Sequence, residues 1–145
     1  MAIATRLAES RDDVRLCLRL RWTVFVEEQG VRPSLEVDEH DAAGAVHALA
    51  LVDGVPAGAG RFIFVEPGVA KIQRMAVVDD VRGKGVGAAL LRFLEDESRS
   101  RGARRFTLGA QTQARAFYEK QGYAAVGDVF DDAGIPHVRM DKRSA

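Results

Sequence analysis

Three glycines, Gly83, Gly85 and Gly87, separate an apolar run ending at Val78 from an apolar stripe at helical spacing. The run Ile72 to Val78 reads as a strand, and Val86, Ala89, Leu90, Phe93 and Leu94 follow the i, i+3, i+4, i+7, i+8 pattern of a one-sided helix. A strand must therefore pass to a helix through Asp79-Asp80-Val81-Arg82-Gly83-Lys84-Gly85. Glycine permits positive φ and leaves no Cβ in the way of a ligand. The first-turn amides of the helix supply unpaired N–H donors at the positive end of the helix dipole. With Arg82 and Lys84 beside them, these amides suit a phosphate or diphosphate.

Two common phosphate motifs are excluded by spacing. A Walker A loop needs Ser or Thr after its Gly-Lys pair, and here Gly85 follows Lys84. A dinucleotide fingerprint needs G-x-G-x-x-G, which Gly83-x-Gly85-x-Gly87 does not provide. A glycine-rich turn that binds nothing is the plain alternative. The order Arg82-x-x-Gly85-x-Gly87 resembles the acetyl-CoA diphosphate loop of the GNAT N-acetyltransferases.

Size and charge narrow the field further. The 145 residues, 47% of them hydrophobic, suffice for one ordinary domain with a real core. Twenty-one basic and 21 acidic residues balance, which gives no support to nucleic-acid or membrane-surface binding. The single Cys17 excludes a disulfide within the chain and fits a reducing compartment. No signal-peptide pattern and no apolar span of about 18 residues is present, so the expected location is the cytoplasm.

Elements alternate along the chain. Ala2 to Leu7 reads as a strand, and Ser10-Arg11-Asp12-Asp13 as a capping box before a helix that runs to about Glu28, with Arg21 interrupting its apolar stripe. Gly30 to Gly44 reads as irregular and acidic, with Glu36, Asp38, Glu39 and Asp41. Asp53-Gly54 marks a hairpin between strands Val46 to Val52 and Val55 to Val65. Pro67-Gly68 turns into a strand from Ala70 to Val78. Beyond the glycine loop and its helix, Gly102 marks a helix end and Arg105 to Ala110 a strand. Gln113 to Gln121 is a short helix closed by Gly122, and Tyr123 to Phe130 with Pro136 to Met140 form a last hairpin. An antiparallel meander followed by β-α-β units predicts an α/β (α+β) fold, with one mixed, mostly antiparallel sheet and helices on both faces.

This element order, over nearly the whole chain, is similar to that of a GNAT domain, here residues 1–145. A second block strengthens the resemblance: the Ala114-x-x-Phe117-Tyr118-x-Lys120-x-Gly122-Tyr123 tail of the segment Leu108 to Tyr123. Arg21-Trp22-Thr23-Val24-Phe25-Val26-Glu27-Glu28-Gln29, Asp38-Glu39-His40-Asp41 with His47, and Gly134-Ile135-Pro136-His137-Val138-Arg139-Met140 resemble the bacterial ElaA/YjcF-like branch.

The resemblance implies acyl transfer, with acetyl-CoA as cosubstrate and no metal. The acetyl group would pass to a primary amine, of a small molecule, a lysine or a chain terminus, by direct attack in a ternary complex. It implies that the sheet splays at its central strands and that the thioester lies in the gap. Met75, Ala76 and Val77 would lend main-chain groups to the pantetheine arm, and an amide near Val77 would meet the developing oxyanion. Arg82, Gly83, Lys84, Gly85, Val86, Gly87 and Ala88 would hold the diphosphate, with Gln111 where many members carry Asn. Tyr118 matches the general acid that protonates the departing thiolate, against the alternative of a core aromatic. Glu28 and His137 are the candidate bases, each weighed against an ordinary surface role. The acidic segment opposite a basic loop predicts a cationic acceptor. The competing reading is a CoA-binding regulatory or interaction module without turnover.

Other residues are expected to be structural. Cys17, on the helix stripe, reads as core rather than nucleophile. His40, His47, Asp38 and Asp41 lack the tight spacing of metal ligands. Trp22 is expected to pack its helix on the sheet, and Arg99, Arg101, Arg104 and Arg105 to form a solvated basic edge. Oligomeric state is left open, a homodimer included.

Overall fold

The structure is a computed structural model that describes residues 1–144, and Ala42 through its backbone alone. After β1 (Ile3–Leu7), the Ser10 hydroxyl accepts the Asp13 N–H at 3.1 Å and caps α1 (Arg11–Arg21). The helix continues to Glu28 as expected, but Trp22–Glu28 is π-helical, with the Gln29 N–H on the Val24 carbonyl at 3.2 Å. The buried positions are Cys17, Arg21 and Val24. Trp22, one residue past Arg21, is thereby rotated outward and is 43% exposed, so it does not clamp the helix to the sheet.

The acidic segment is also more regular than its composition suggests. It contains two single-turn helices, α2 (Pro33–Glu36) and α3 (Glu39–Ala42). Pro33 starts the first with its fixed φ, and a reciprocal Asp38/Asp41 capping box starts the second.

Seven strands form one sheet in the order β1-β2-β3-β4-β5-β7-β6, with β2 (Val46–Val52), β3 (Val55–Glu66), β4 (Val69–Val77), β5 (Arg105–Gln111), β6 (Ala124–Asp132) and β7 (Ile135–Arg143). Every neighbouring pair is antiparallel except β4 with β5. Asp53 and Gly54 both take positive φ, 50° and 82°, the two-residue turn whose twist matches the β2–β3 hairpin. The long helix α4 (Val86–Ser100) seats Val86, Leu90, Leu91 and Leu94 against Ala48, Ala50, Phe62, Ile72 and Phe106. Cys17 of α1 packs on the opposite face with Ala8, Leu49, Leu51 and Ala59. Adjacent residues of β2 thus enter different cores, which is why that strand is apolar without alternation. Burial raises the Cys17 thiol to about 12, so it stays protonated and inert.

The sheet opens between its central strands, as the resemblance implies. Strands β4 and β5 pair only through Val69–Arg105, Ala70–Phe106 and Lys71–Thr107, and part from Ile72 onward. Beyond that point β4 is bulged against β3: Ala59 faces Ala76 and Arg61 faces Gln73, so Arg74 and Met75 together oppose Gly60. Arg74 takes the left-handed region, φ 57°, which is costly for a residue with a Cβ. A Cβ at Gly60 would stand 2.8 Å from both Leu94 Cδ1 and Met75 Sδ, so both side-chain ends would have to shift to admit one. Among the described residues no helix is long and apolar enough to cross a membrane.

Candidate active site

The opening between β4 and β5 is a cleft of about 460 Å³. Met75, Ala76, Val77, Arg82, Gln111, Tyr118 and His137 all line it. Their convergence from β4, the glycine loop, β5, α5 (Arg115–Lys120) and β7 needs the whole second half of the chain.

At one end lies the N-terminus of α4. Gly83 and Gly85 have φ 74° and 90°, and no protein atom comes closer than 4.0 Å to a Cβ built on either. They are required by backbone conformation and not by crowding from the protein. Gly85 is the N-cap and no side chain caps this helix, so the amides of Val86, Gly87 and Ala88 lack intrahelical acceptors. Val86 contributes only main chain to such a site, because its side chain is buried in the core. A Cβ on Gly87 would make ordinary contact with Phe117 at 3.5 Å and Val77 at 3.8 Å. Gly85→Ala is expected to cost about 1–2 kcal/mol in unfolding free energy, from the left-handed φ alone. It should also weaken coenzyme binding in calorimetry about tenfold, while an unchanged dissociation constant would detach the loop from the ligand.

Arg82 is engaged within the protein. Its Nε donates to the Val77 carbonyl at 2.8 Å, and its guanidinium meets the Glu28 carboxylate at 2.7 Å and Asp79 at 3.6 Å. Glu28 itself does not line the cleft; it holds Arg82 from the π-helical segment.

Tyr118 is 9% exposed and packs edge-to-face on Phe117 and Tyr123, with centroids 5.0 and 5.8 Å away. Among the described residues its hydroxyl has no hydrogen-bond partner. Burial raises its pKa to about 12, so the phenol is protonated throughout the neutral range. Across the gap, the His137 ring stacks on Phe130 at 5.9 Å and its Nδ1 lies 2.7 Å from the Ile135 carbonyl. A carbonyl can only accept, so Nδ1 carries hydrogen and a neutral ring presents its lone pair at Nε2.

Gln111 exchanges amide hydrogen bonds with Gln29, at 2.8 and 3.2 Å, and also accepts from Gln113. The sequence pointed to Gln111 but gave no sign of its pairing with Gln29, which lies 82 positions away.

The acidic segment departs most from expectation. Glu36, Asp38 and Asp41 do not form an anionic wall; they turn inward onto three arginines. Arg21, 1% exposed, reaches Glu36 at 2.5 Å and Asp41 at 2.6 Å. Arg61, 0% exposed, reaches Asp38 and Asp41 at 2.7 Å each and the Gln73 amide oxygen at 2.9 Å. Arg74 donates to the Glu36 carbonyl at 3.0 Å. The hydrogen bonds from Arg61, chief of the influences on it, lower the Asp38 pKa. Burial alone would raise Asp41, but the Arg21 hydrogen bonds and its other partners hold it well below the usual carboxylate range. Burial likewise lowers the His47 pKa, and neither ring nitrogen has a partner, so His47 is a neutral core residue. An arginine breaking an apolar helix stripe and another inside an apolar strand were the available signals for this network.

Residues 12–144 match the family described as the acetyltransferase (GNAT) domain. The chain is a GNAT protein. It is 36% identical to the uncharacterized N-acetyltransferase YjcF of Bacillus subtilis (strain 168), over 94% of this chain and 96% of that one. The crystal structure of Escherichia coli ElaA superposes with a TM-score of 0.85 at 27% identity, covering 98% of this chain and 100% of the other. An acyl-CoA N-acyltransferase from Pseudomonas aeruginosa superposes with a TM-score of 0.80 at 28% identity, covering 97% and 98%. These likenesses place the GNAT chain in the ElaA/YjcF-like branch.

Proposed function

We propose that this GNAT protein, as one domain over residues 1–145, transfers the acetyl group of acetyl-CoA to a primary amine by direct attack in a ternary complex. The observation that carries this reading is the single cleft that joins the free β4 edge, the uncapped α4 amides and the unpartnered Tyr118 hydroxyl. The diphosphate binds the amides of Gly83 through Ala88, with Lys84 and Arg82 adding charge. The pantetheine arm runs along Met75, Ala76 and Val77 on the edge that β5 leaves unpaired, with Gln111 beside it. A main-chain N–H near Val77 faces the carbonyl oxygen as it gains charge. Tyr118 delivers a proton to the leaving thiolate. These roles need no metal.

His137 is the better of the two proposed bases. It lies in the cleft with Nε2 available when neutral, whereas Glu28 is held by Arg82 outside it. His137→Gln is expected to lower kcat about tenfold or more with little change in coenzyme affinity. Glu28→Gln should release Arg82 and tighten coenzyme binding severalfold, with no comparable step in kcat. The opposite pattern would exchange the two roles.

The deciding experiment follows free-thiol release from acetyl-CoA over a panel of amines. Thiol release dependent on an amine supports transfer. Tight CoA binding without release on any acceptor would make the protein a coenzyme-binding module.

A further inference from the structure

The acidic segment having turned inward, the charges left on the acceptor side of the cleft are mostly positive. Five formally charged residues line the cleft: Glu36, Lys71, Arg74, Arg82 and Asp132. Glu36 is bound by Arg21 and its second carboxylate oxygen is enclosed by protein, while Arg82 is held by Glu28. Asp132 stands exposed at the β6–β7 turn. Lys71 has no carboxylate within 4.0 Å among the described residues.

Arg74 is the least satisfied of the three clustered arginines. Its Nη2 contacts the Leu35 carbonyl and Asp38 Oδ2 at 3.4 Å each, and Asp38 is already held by Arg61 at 2.7 and 2.8 Å. Its Nη1 has no partner among the described residues. Burial and then the neighbouring Arg61 and Arg21 charges lower its pKa, which marks a place where an added anion is stabilised. The bulge holds this guanidinium in the cleft through a left-handed backbone that no intrinsic preference of arginine explains. Apolar Phe25, Leu35, Phe130 and Ile135 line the same cleft.

We infer that the amine acceptor also carries a carboxylate, paired by the Arg74 guanidinium with Lys71 adding to the field, as in an apolar or aromatic amino acid. This rests on the acyl-transfer reading and replaces the expectation of a cationic acceptor. The open Nη1 offers charge-assisted N–H donors to a carboxylate, whereas a polyamine entering the same cleft would meet two like charges. The amine of the acceptor stays free to attack the thioester, its proton leaving to His137.

Matched pairs isolate the carboxylate: phenylalanine against phenethylamine, and tyrosine against tyramine, with spermidine and a lysine peptide as further arms. Thiol release should give kcat/KM at least about tenfold higher for the carboxylated member of each pair, the usual worth of a charge-assisted hydrogen bond. Arg74→Gln should bring that ratio close to one, Arg74→Lys should restore part of it, and Lys71→Gln should reduce it about threefold. A ratio cancels any general loss of folded enzyme, and Lys71, in regular strand, keeps the test open should Arg74 variants fold poorly. Equal or better rates for the decarboxylated amines, or preference for spermidine or the peptide, would overturn the inference and leave acyl transfer standing. No release with any amine would overturn both.

Discussion

Replacing Tyr118 by phenylalanine is expected to reduce kcat by about a hundredfold or more while coenzyme binding and fold are retained. The size follows from the chemistry: a positioned general acid contributes on the order of 10²–10⁴ in rate. The specificity of the test follows from the surroundings. The ring packs between Phe117 and Tyr123, and phenylalanine keeps those edge-to-face contacts. The hydroxyl has no protein partner among the described residues, so its removal orphans nothing and should shift the unfolding free energy by less than about 1 kcal/mol. Burial holds the phenol pKa near 12, so it remains a proton donor across the assay range and should impose no basic limb on kcat below about pH 10. Stopped thiol release with an intact calorimetric signal for CoA is the expected pair of results. Unchanged turnover would leave Tyr118 as a core aromatic, the reading its burial also allows.

What was legible in the sequence was mostly local. The turn at Asp53-Gly54, the Ser10 cap, the α4 stripe and the glycine loop each depend on residues within a few positions of one another, and each stands where the pattern put it. The sheet's opening and the β4 bulge were not legible locally; the opening was reached only through resemblance. Ala70 to Val78 reads as an uninterrupted strand, yet Arg74 leaves the strand conformation with its guanidinium on the carbonyls of Leu35 and Glu36. Composition also misled at Glu36, Asp38 and Asp41. A charge run reports how many carboxylates there are, not which way they face, and Arg61 answers two of them from 20 and 23 residues away. Trp22 failed for a related reason: the apolar spacing of helix α1 continues smoothly into a π-helical turn, and only the hydrogen-bond pattern separates the two pitches.

That buried network sets the second large effect. Arg61→Met is expected to destabilise the protein by about 3 kcal/mol at neutral pH, since removing one member of a buried ion cluster leaves Asp38 with only the 3.4 Å contact to Arg74 and Asp41 with Arg21 alone. Arg61 donates to Asp38, Asp41 and Gln73 together, and its side chain is fully enclosed. In a domain of this size the loss corresponds to a melting point lower by roughly 10 °C. The pH dependence gives the mechanism. Asp38 and Asp41 have folded pKa values depressed below their unfolded values, so their contribution is fully present above about pH 4–5, where the unfolded carboxyls are also ionised. It is lost as pH falls toward the depressed folded values. In Arg61→Met the depression of Asp38 should largely vanish, so the stability gap between the two proteins should narrow between about pH 5 and pH 3. Urea unfolding at three pH values reads this directly. A gap below about 1 kcal/mol at pH 7, or one that stays constant into acid, would mean that Arg61 is held by packing and not by its carboxylates. Because α2 and α3 hang on the same arginines, the variant should also loosen the wall that carries Leu35 over the cleft, and acceptor KM should rise further than coenzyme Kd.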